Sequence, residues 1–214
     1  PYGNLYGNKF ARADDGQLLY KNGYPYNLAG QHVIGNITPD WLAGVSNTFS
    51  YKGVALSVLF DMKKGGALYD MGVSLQRVTG VLEETGVGRE EGVIGAGVKN
   101  MGTEESPQYV NNDVVVPARN FYGYYSGRQY HEAAVFDGTY VKLREASLSY
   151  TLPAKWMSNN FLQSVSVSVV GRNLAILFKN TVHADPEISS ASLGYSYGQL
   201  PSTRSMGFSV NVKF

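Results

Sequence analysis

The strict two-residue alternation of this chain constrains its fold more than any other feature. In Ser164–Val169 valines at 165, 167 and 169 alternate with serines at 164, 166 and 168. The last residues repeat the pattern, with Met206, Phe208, Val210, Val212 and Phe214 separated by Gly207, Ser209, Asn211 and Lys213. Successive side chains of a strand point to opposite faces, so such segments are strands with one apolar and one polar side. Residues 41–51 place Trp41, Ala43, Val45, Asn47, Phe49 and Tyr51 on one face. Residues 54–63 place Val54, Leu56, Val58, Phe60 and Met62 together, opposite Ala55, Ser57, Leu59, Asp61 and Lys63. Lys52-Gly53 between them reads as a tight hairpin turn. Ala146, Leu148, Tyr150 and Leu152 share a face against Glu145, Ser147, Ser149 and Thr151, and Pro153 ends that run. Beyond Val169 the alternation loosens, which predicts a bulge near Gly171.

About five strands follow from this pattern, with aromatics near their ends at Trp41, Tyr51, Tyr150, Phe208 and Phe214. Two architectures fit. One is a soluble sandwich or sheet with the apolar side inward. The other is a membrane barrel with that side toward lipid. Sixteen Tyr and twenty-five Gly suit either. No apolar run reaches the ~18–20 residues of a membrane helix, but barrel strands need no such run. The connections favour the barrel. Lys52-Gly53 is short, residues 65–139 and 179–204 are long, and residues 154–163 are intermediate. Short turns at one side and long loops at the other suit an outer-membrane barrel. Strand directions traced from the C-terminus then place the long loops outside and the C-terminus in the periplasm.

Only 16% of residues are charged and the formal net charge is +1, so nothing suggests nucleic acid as a partner. There is no cysteine, hence no disulfide frame or thiolate metal site. His32, His131 and His183 lack ligand spacing. "GAGVKN" lacks the third glycine of a dinucleotide loop, and "ADDGQ" and "DPE" are too short for a calcium loop. No nucleophile–base pair stands out. The expectation is a protein without catalytic residues, metal or cofactor.

Four stretches carry a resemblance. Gly35–Gly66 contains G-N-x-x-P-x-W, then Y-K-G, then L-S-x-x-x-D-x-K-x-G-G. "FDGTYVKLREASLSYTLP" follows, then "VVGRNLAILFKN" with "ADPE", then the ending "YGQLPSTRSMGFSVNVKF". In this order they resemble SusC/RagA-type TonB-dependent outer-membrane transporters. The resemblance covers about residues 30–214. It implies an all-β fold, namely an antiparallel transmembrane β-barrel section with long extracellular loops, about the last five strands of a barrel of roughly twenty-two. Residues 1–37 would be an outer loop and 38–214 barrel strands with their loops. The family's plug and TonB-box regions have no counterpart in these residues. A chain opening on Pro1 reads as a processed product or a piece of something longer.

The resemblance further implies energised import of a large nutrient, an oligosaccharide or a peptide. Expected partners are a SusD-like surface lipoprotein, TonB, outer-membrane lipid and the barrel-assembly machinery. The alternatives are a soluble or surface β-rich carbohydrate-binding or adhesion module, and another barrel such as a porin. Candidate substrate contacts are the loop residues Phe121, Tyr122, Tyr124, Tyr125, Arg128, Tyr130, His131, Tyr195 and Tyr197, since aromatic faces stack on sugars and Arg or His directs hydrogen bonds. Packing of the loops is the plainer reading of these aromatics. Phe208, Val210, Val212 and Phe214 resemble the terminal strand signal read by barrel-assembly machinery. Asp61, Lys63, Glu145 and Arg172, on the polar face, are expected to pair with one another or with the family's plug.

Overall fold

The computed structural model describes residues 2–124, 131–157, 161–183, 185–187 and 194–214. The chain divides into two compact units, one of Pro39–Gly65, Gly138–Ile188 and Leu200–Phe214, the other of Pro1–Thr38, Gly66–Asp137 and Ser189–Gln199.

The first unit is built on five long strands, β1 (Pro39–Tyr51), β2 (Val54–Gly65), β3 (Tyr140–Thr151), β4 (Ser164–Lys179) and β5 (Ser205–Lys213). They form one open sheet in sequence order, every neighbouring pair antiparallel. The β1–β2 hairpin turns at Lys52 (φ 47°) and Gly53 (φ 86°). Positive φ at both central residues is the type I′ geometry, whose twist matches that of the flanking strands.

Register aligns the alternation of all five strands. One row across the sheet runs Phe49, Leu56, Leu148, Val169, Phe208. The adjacent row on the same face runs Tyr51, Val54, Tyr150, Val167, Val210. Between them, on the other face, lie Ser50, Ala55, Ser149, Ser168 and Ser209. There Thr48 and Ser57 are joined across the hairpin by a 2.8 Å hydroxyl bond. The apolar face is bare, with Phe49 61%, Leu148 53%, Val169 56% and Phe208 71% exposed. Burying side chains of this size is worth about 1.5–3 kcal/mol each. Among the described residues no element of the unit covers them.

The β3–β4 ladder shifts at two levels, once between Val141 and Lys142, where Leu177 is skipped, and once between Leu143 and Glu145. Arg144 in β3 and Asn173-Leu174 in β4 drop out of the pairing. Asn173 is left-handed (φ 51°), and its amide oxygen accepts from Arg144 Nη1 at 3.0 Å. The irregularity expected near Gly171 is present, with Asn173 two residues further on at its centre. Gly171 itself keeps register with Ala146 and Met206. An asparagine tolerates the left-handed conformation better than most residues, and the bulge re-aims the side chains beyond it.

Among its described residues the second unit contains short paired strands and two α-helices. Asn4–Gly7 pairs with His32–Asn36, and Ala67–Asp70 lies between Val135–Asp137 and Tyr195–Ser196. Residues 65–139, read from sequence as one long loop, include α1 (Met71–Thr79) and α2 (Ala118–Tyr124). The Asp70 side chain caps α1 by accepting from the amides of Gly72 (2.8 Å) and Val73 (3.3 Å). Gly80, at φ 72°, ends it in the left-handed conformation. Three small apolar clusters hold this unit. They centre on Ala11, Leu19 and Val98, on Leu5, Tyr69 and Ala134, and on Tyr20, Val116 and Phe121.

The β1–β2 turn admits a direct test. A Cβ on Gly53 would lie 2.7 Å from the Thr151 carbonyl oxygen, at a φ that L-residues rarely adopt. Gly53→Ala is expected to destabilise the full-length protein by about 1 kcal/mol or more, read as a lower urea midpoint in detergent.

Candidate functional site

Three of the candidate contact residues converge in the second unit. His131, Tyr195 and Tyr197 line a cleft of about 310 Å³ together with Leu5, Tyr6, Ile34, Tyr69 and Met71. Its floor is the Leu5–Tyr69–Ala134 cluster. The Tyr69 ring meets Tyr195 edge-on at 5.7 Å and His131 at 6.0 Å, and Tyr195 stacks with Tyr197 at 6.1 Å. Burial pushes the Tyr69 phenol up, so it stays protonated at neutral pH. His131 Nδ1 accepts from the Asn8 amide at 3.0 Å. The proton of the neutral ring is thereby assigned to Nε2. Glu132 completes the attachment by accepting from the Phe10 amide at 2.7 Å and pairing with Arg12 at 3.0 Å. Gly7 is required there, because a Cβ would meet Ile34 and His131 at 2.7–2.8 Å. The cleft offers aromatic faces, a thioether and one imidazole, which suits binding of a partly apolar ligand.

A second arrangement lies in the first unit, around the broken ladder. Lys142, almost fully buried, is 2.5 Å from Asp185 and 2.6 Å from Glu187. Arg144 pairs with Asp61 and Glu187. The Tyr140 hydroxyl donates to Asp61 and Glu187 at 3.3 Å, and Ser202 donates to Asp185 at 2.5 Å. Three carboxylates thus enclose two cations and tie residues 185–187 and 202 to β2 and β3. Burial raises the Asp185 carboxyl, but hydrogen bonds from Lys142, Ser202 and the Glu187 amide outweigh it and hold it below the usual range. For Glu187, burial is likewise outweighed by Arg144 and Lys142. Among the described residues no cluster of ligating side chains could hold a metal ion.

No family model matches the chain. It is 29% identical to TonB-dependent receptor P3 of Formosa agariphila over 197 residues, which is 88% of this chain and 18% of that protein. TonB-dependent receptor P26 of the same organism is 26% identical over 85% of this chain and 18% of its own length. Among solved structures, the RagAB peptide transporter superposes on 97% of this chain and 22% of its own with TM-score 0.60 at 18% identity. The RagAB peptide importer in its closed-closed state superposes with TM-score 0.62 at 17% identity, again over 97% of this chain and 22% of its own. The chain is similar in sequence to TonB-dependent receptors and shares its fold with part of the RagAB transporter. It spans about a fifth of the length of these relatives.

The remaining candidate residues do not join the cleft. Phe121 is buried with Tyr20 and Val116. Tyr122 packs edge-on against Phe121 at 5.4 Å. Tyr124 stacks on Tyr24 at 4.3 Å. Tyr125, Arg128 and Tyr130 lie outside the described residues. The expected ion pair of Glu145 with Arg172 is present at 2.8 Å, whereas Asp61 takes Arg144 as its partner. Tyr69, Tyr6 and Met71 were not legible as cleft residues. Tyr6 and Tyr69 reach it through strand pairings between residues distant in sequence, Met71 follows as the first residue of α1, and no local motif marks them. The Asp185-Pro186-Glu187 motif was visible, but its cationic partners were not.

Breaking a buried ion pair from one side costs about 3–5 kcal/mol, because the other charge is left uncompensated. Lys142→Met is therefore expected to lower the thermal midpoint of the full-length protein strongly. A carboxylate with a depressed folded pKa stabilises above its unfolded value, near 4, and that contribution is lost as pH falls through the folded value. Protection of the Glu187 amide, which donates to Asp185 at 3.1 Å, against hydrogen exchange is expected to persist at about pH 5 and to fail only below about pH 4.

Proposed function

We propose that this chain is part of the wall and outer loops of a TonB-dependent outer-membrane transporter that imports a large nutrient. The bare apolar face of the five-stranded sheet carries this reading, since its rows are continuous from β1 to β5. Lipid is the solvent that removes the cost of such a face, while the Ser- and Thr-rich face lines a wet lumen. The open edges of β1 and β5 then pair with further strands of a complete barrel. In this reading β5 presents Phe208, Val210, Val212 and Phe214 as the strand that assembly machinery reads, and the C-terminus is periplasmic. A SusD-like lipoprotein and TonB act with the whole transporter. The cargo is an oligosaccharide or a peptide, and the cleft of His131, Tyr69, Tyr195 and Tyr197 contacts it.

The lipid-facing assignment is tested by a pair of substitutions in adjacent residues of β2. Arginine on the lipid face near mid-membrane costs about 2–4 kcal/mol, whereas a lumen-facing one is tolerated. Val58→Arg is expected to reduce heat-modifiable protein in outer membranes sharply, and Ser57→Arg only slightly. Equal effects, or a native full-length protein monodisperse without detergent, would sink the reading. For the cleft, Tyr197→Ala is expected to weaken cargo binding by about fivefold at normal surface levels, in line with a lost aromatic contact of about 1 kcal/mol. Unchanged binding removes the cleft from the transport path.

A further inference from the structure

A second cavity in the unit of Gly66–Asp137, of about 610 Å³, is lined by Arg77, Arg89, Arg119, Thr79, Thr85 and Tyr122 with their neighbours. Its three guanidinium groups are in different states. Arg77 is neutralised by Glu84 at 2.6 Å. Arg89 is fixed by neutral acceptors, donating Nε to the Thr85 carbonyl at 3.0 Å and Nη2 to the Gly80 carbonyl at 2.5 Å. A guanidinium has five N–H donors, so three remain, and no carboxylate among the described residues pairs with it. Arg119, on the first turn of α2, is exposed and has no ion pair among the described residues. Glu83, Glu84, Glu90 and Glu91 are close in sequence, yet none lines the cavity. Two uncompensated forks, one held rigid, therefore share a single cavity with a tyrosine ring.

We propose that this cavity binds a carboxylate- or sulfate-bearing sugar of the cargo, with Arg89 and Arg119 clamping the oxyanion and the Tyr122 ring packing against the sugar face. This rests on reading the chain as part of an importer and narrows its substrate class to acidic oligosaccharides. Planar guanidinium forks match carboxylate and sulfate oxygens in a bidentate way. The volume falls in the range of small-molecule sites, about 300–1,000 Å³. A peptide held in extended form takes main-chain hydrogen bonds from a strand edge. The cavity instead follows the C-terminal turn of α1 (Val78, Thr79, Gly80) and the start of α2 (Ala118, Arg119), and recognition there runs through side chains.

The test uses the full-length transporter purified in detergent, with wild type, Arg119→Gln and Arg119→Lys compared at matched heat-modifiability. The probes are tetragalacturonate, a sulfated galactan tetrasaccharide, neutral galactotetraose and a tetraglutamate peptide, measured by calorimetry. At least one acidic saccharide is expected to bind wild type more than tenfold tighter than galactotetraose. Arg119→Gln is expected to abolish that preference, and Arg119→Lys to restore part of it. Failure of both acidic saccharides to bind, no discrimination from the neutral sugar, stronger binding of tetraglutamate, or indifference to Arg119→Gln would each overturn the proposal. The transporter reading has its own separate check, since it fails if the full-length protein does not assemble in the outer membrane or its deletion strain loses no uptake on a panel of glycans and peptides.

Discussion

Cross-strand register is the constraint on which the five-stranded sheet depends. A slip of one residue in any ladder would carry that strand's apolar set to the polar face. The pairings hold Phe49, Leu56, Leu148, Val169 and Phe208 in one row, and the serine row beside it on the other face. Register is anchored at one end of the hairpin by the type I′ turn at Lys52-Gly53. It is shifted deliberately at Arg144 and Asn173, where the two strands bulge together.

That paired bulge links backbone geometry to electrostatics. A regular β3 would keep strict alternation through Arg144. With the bulge, Lys142 lies opposite Asp61 while Leu143 lies opposite Phe60, and the apolar row continues. Arg144 is left to reach Asn173, Asp61 and Glu187. Buried charges cost several kcal/mol each unless paired and hydrogen-bonded. Here each carboxylate has a cation and a further donor, so the segment 185–187 is held in one arrangement relative to β2 and β3.

The unit formed by the inserted segments is stabilised differently. Its strands are two to five residues long, and its three clusters are small. Caps, close glycine contacts and side-chain bonds to backbone make up for a large core. Asp70 caps α1, Glu132 fastens residues 131–134 to residues 10 and 12, and Gly7 lets His131 approach. The cleft beside Tyr69 and the arginine-lined cavity beside α1 both arise where these short elements meet.

Strand number, facing and the hairpin turn were legible because they depend on a period of two and on residues adjacent in the chain. Gly80 and Asp70 also carry local signals for the ends of α1. A bulge near Gly171 was legible too, but not that Asn173 would be its centre, since that depends on Arg144 in the neighbouring strand. Of the aromatic loop residues, composition could not separate Phe121, buried with Tyr20, from Tyr197, open on the cleft. The sequence by itself determined an alternating sheet with one apolar face, because side-chain direction along a strand is set by backbone geometry. Only the tertiary structure decided which charges meet and which tyrosines share a cleft, because those pairings join residues as far apart as Asp61 and Arg144 or Leu5 and Tyr195.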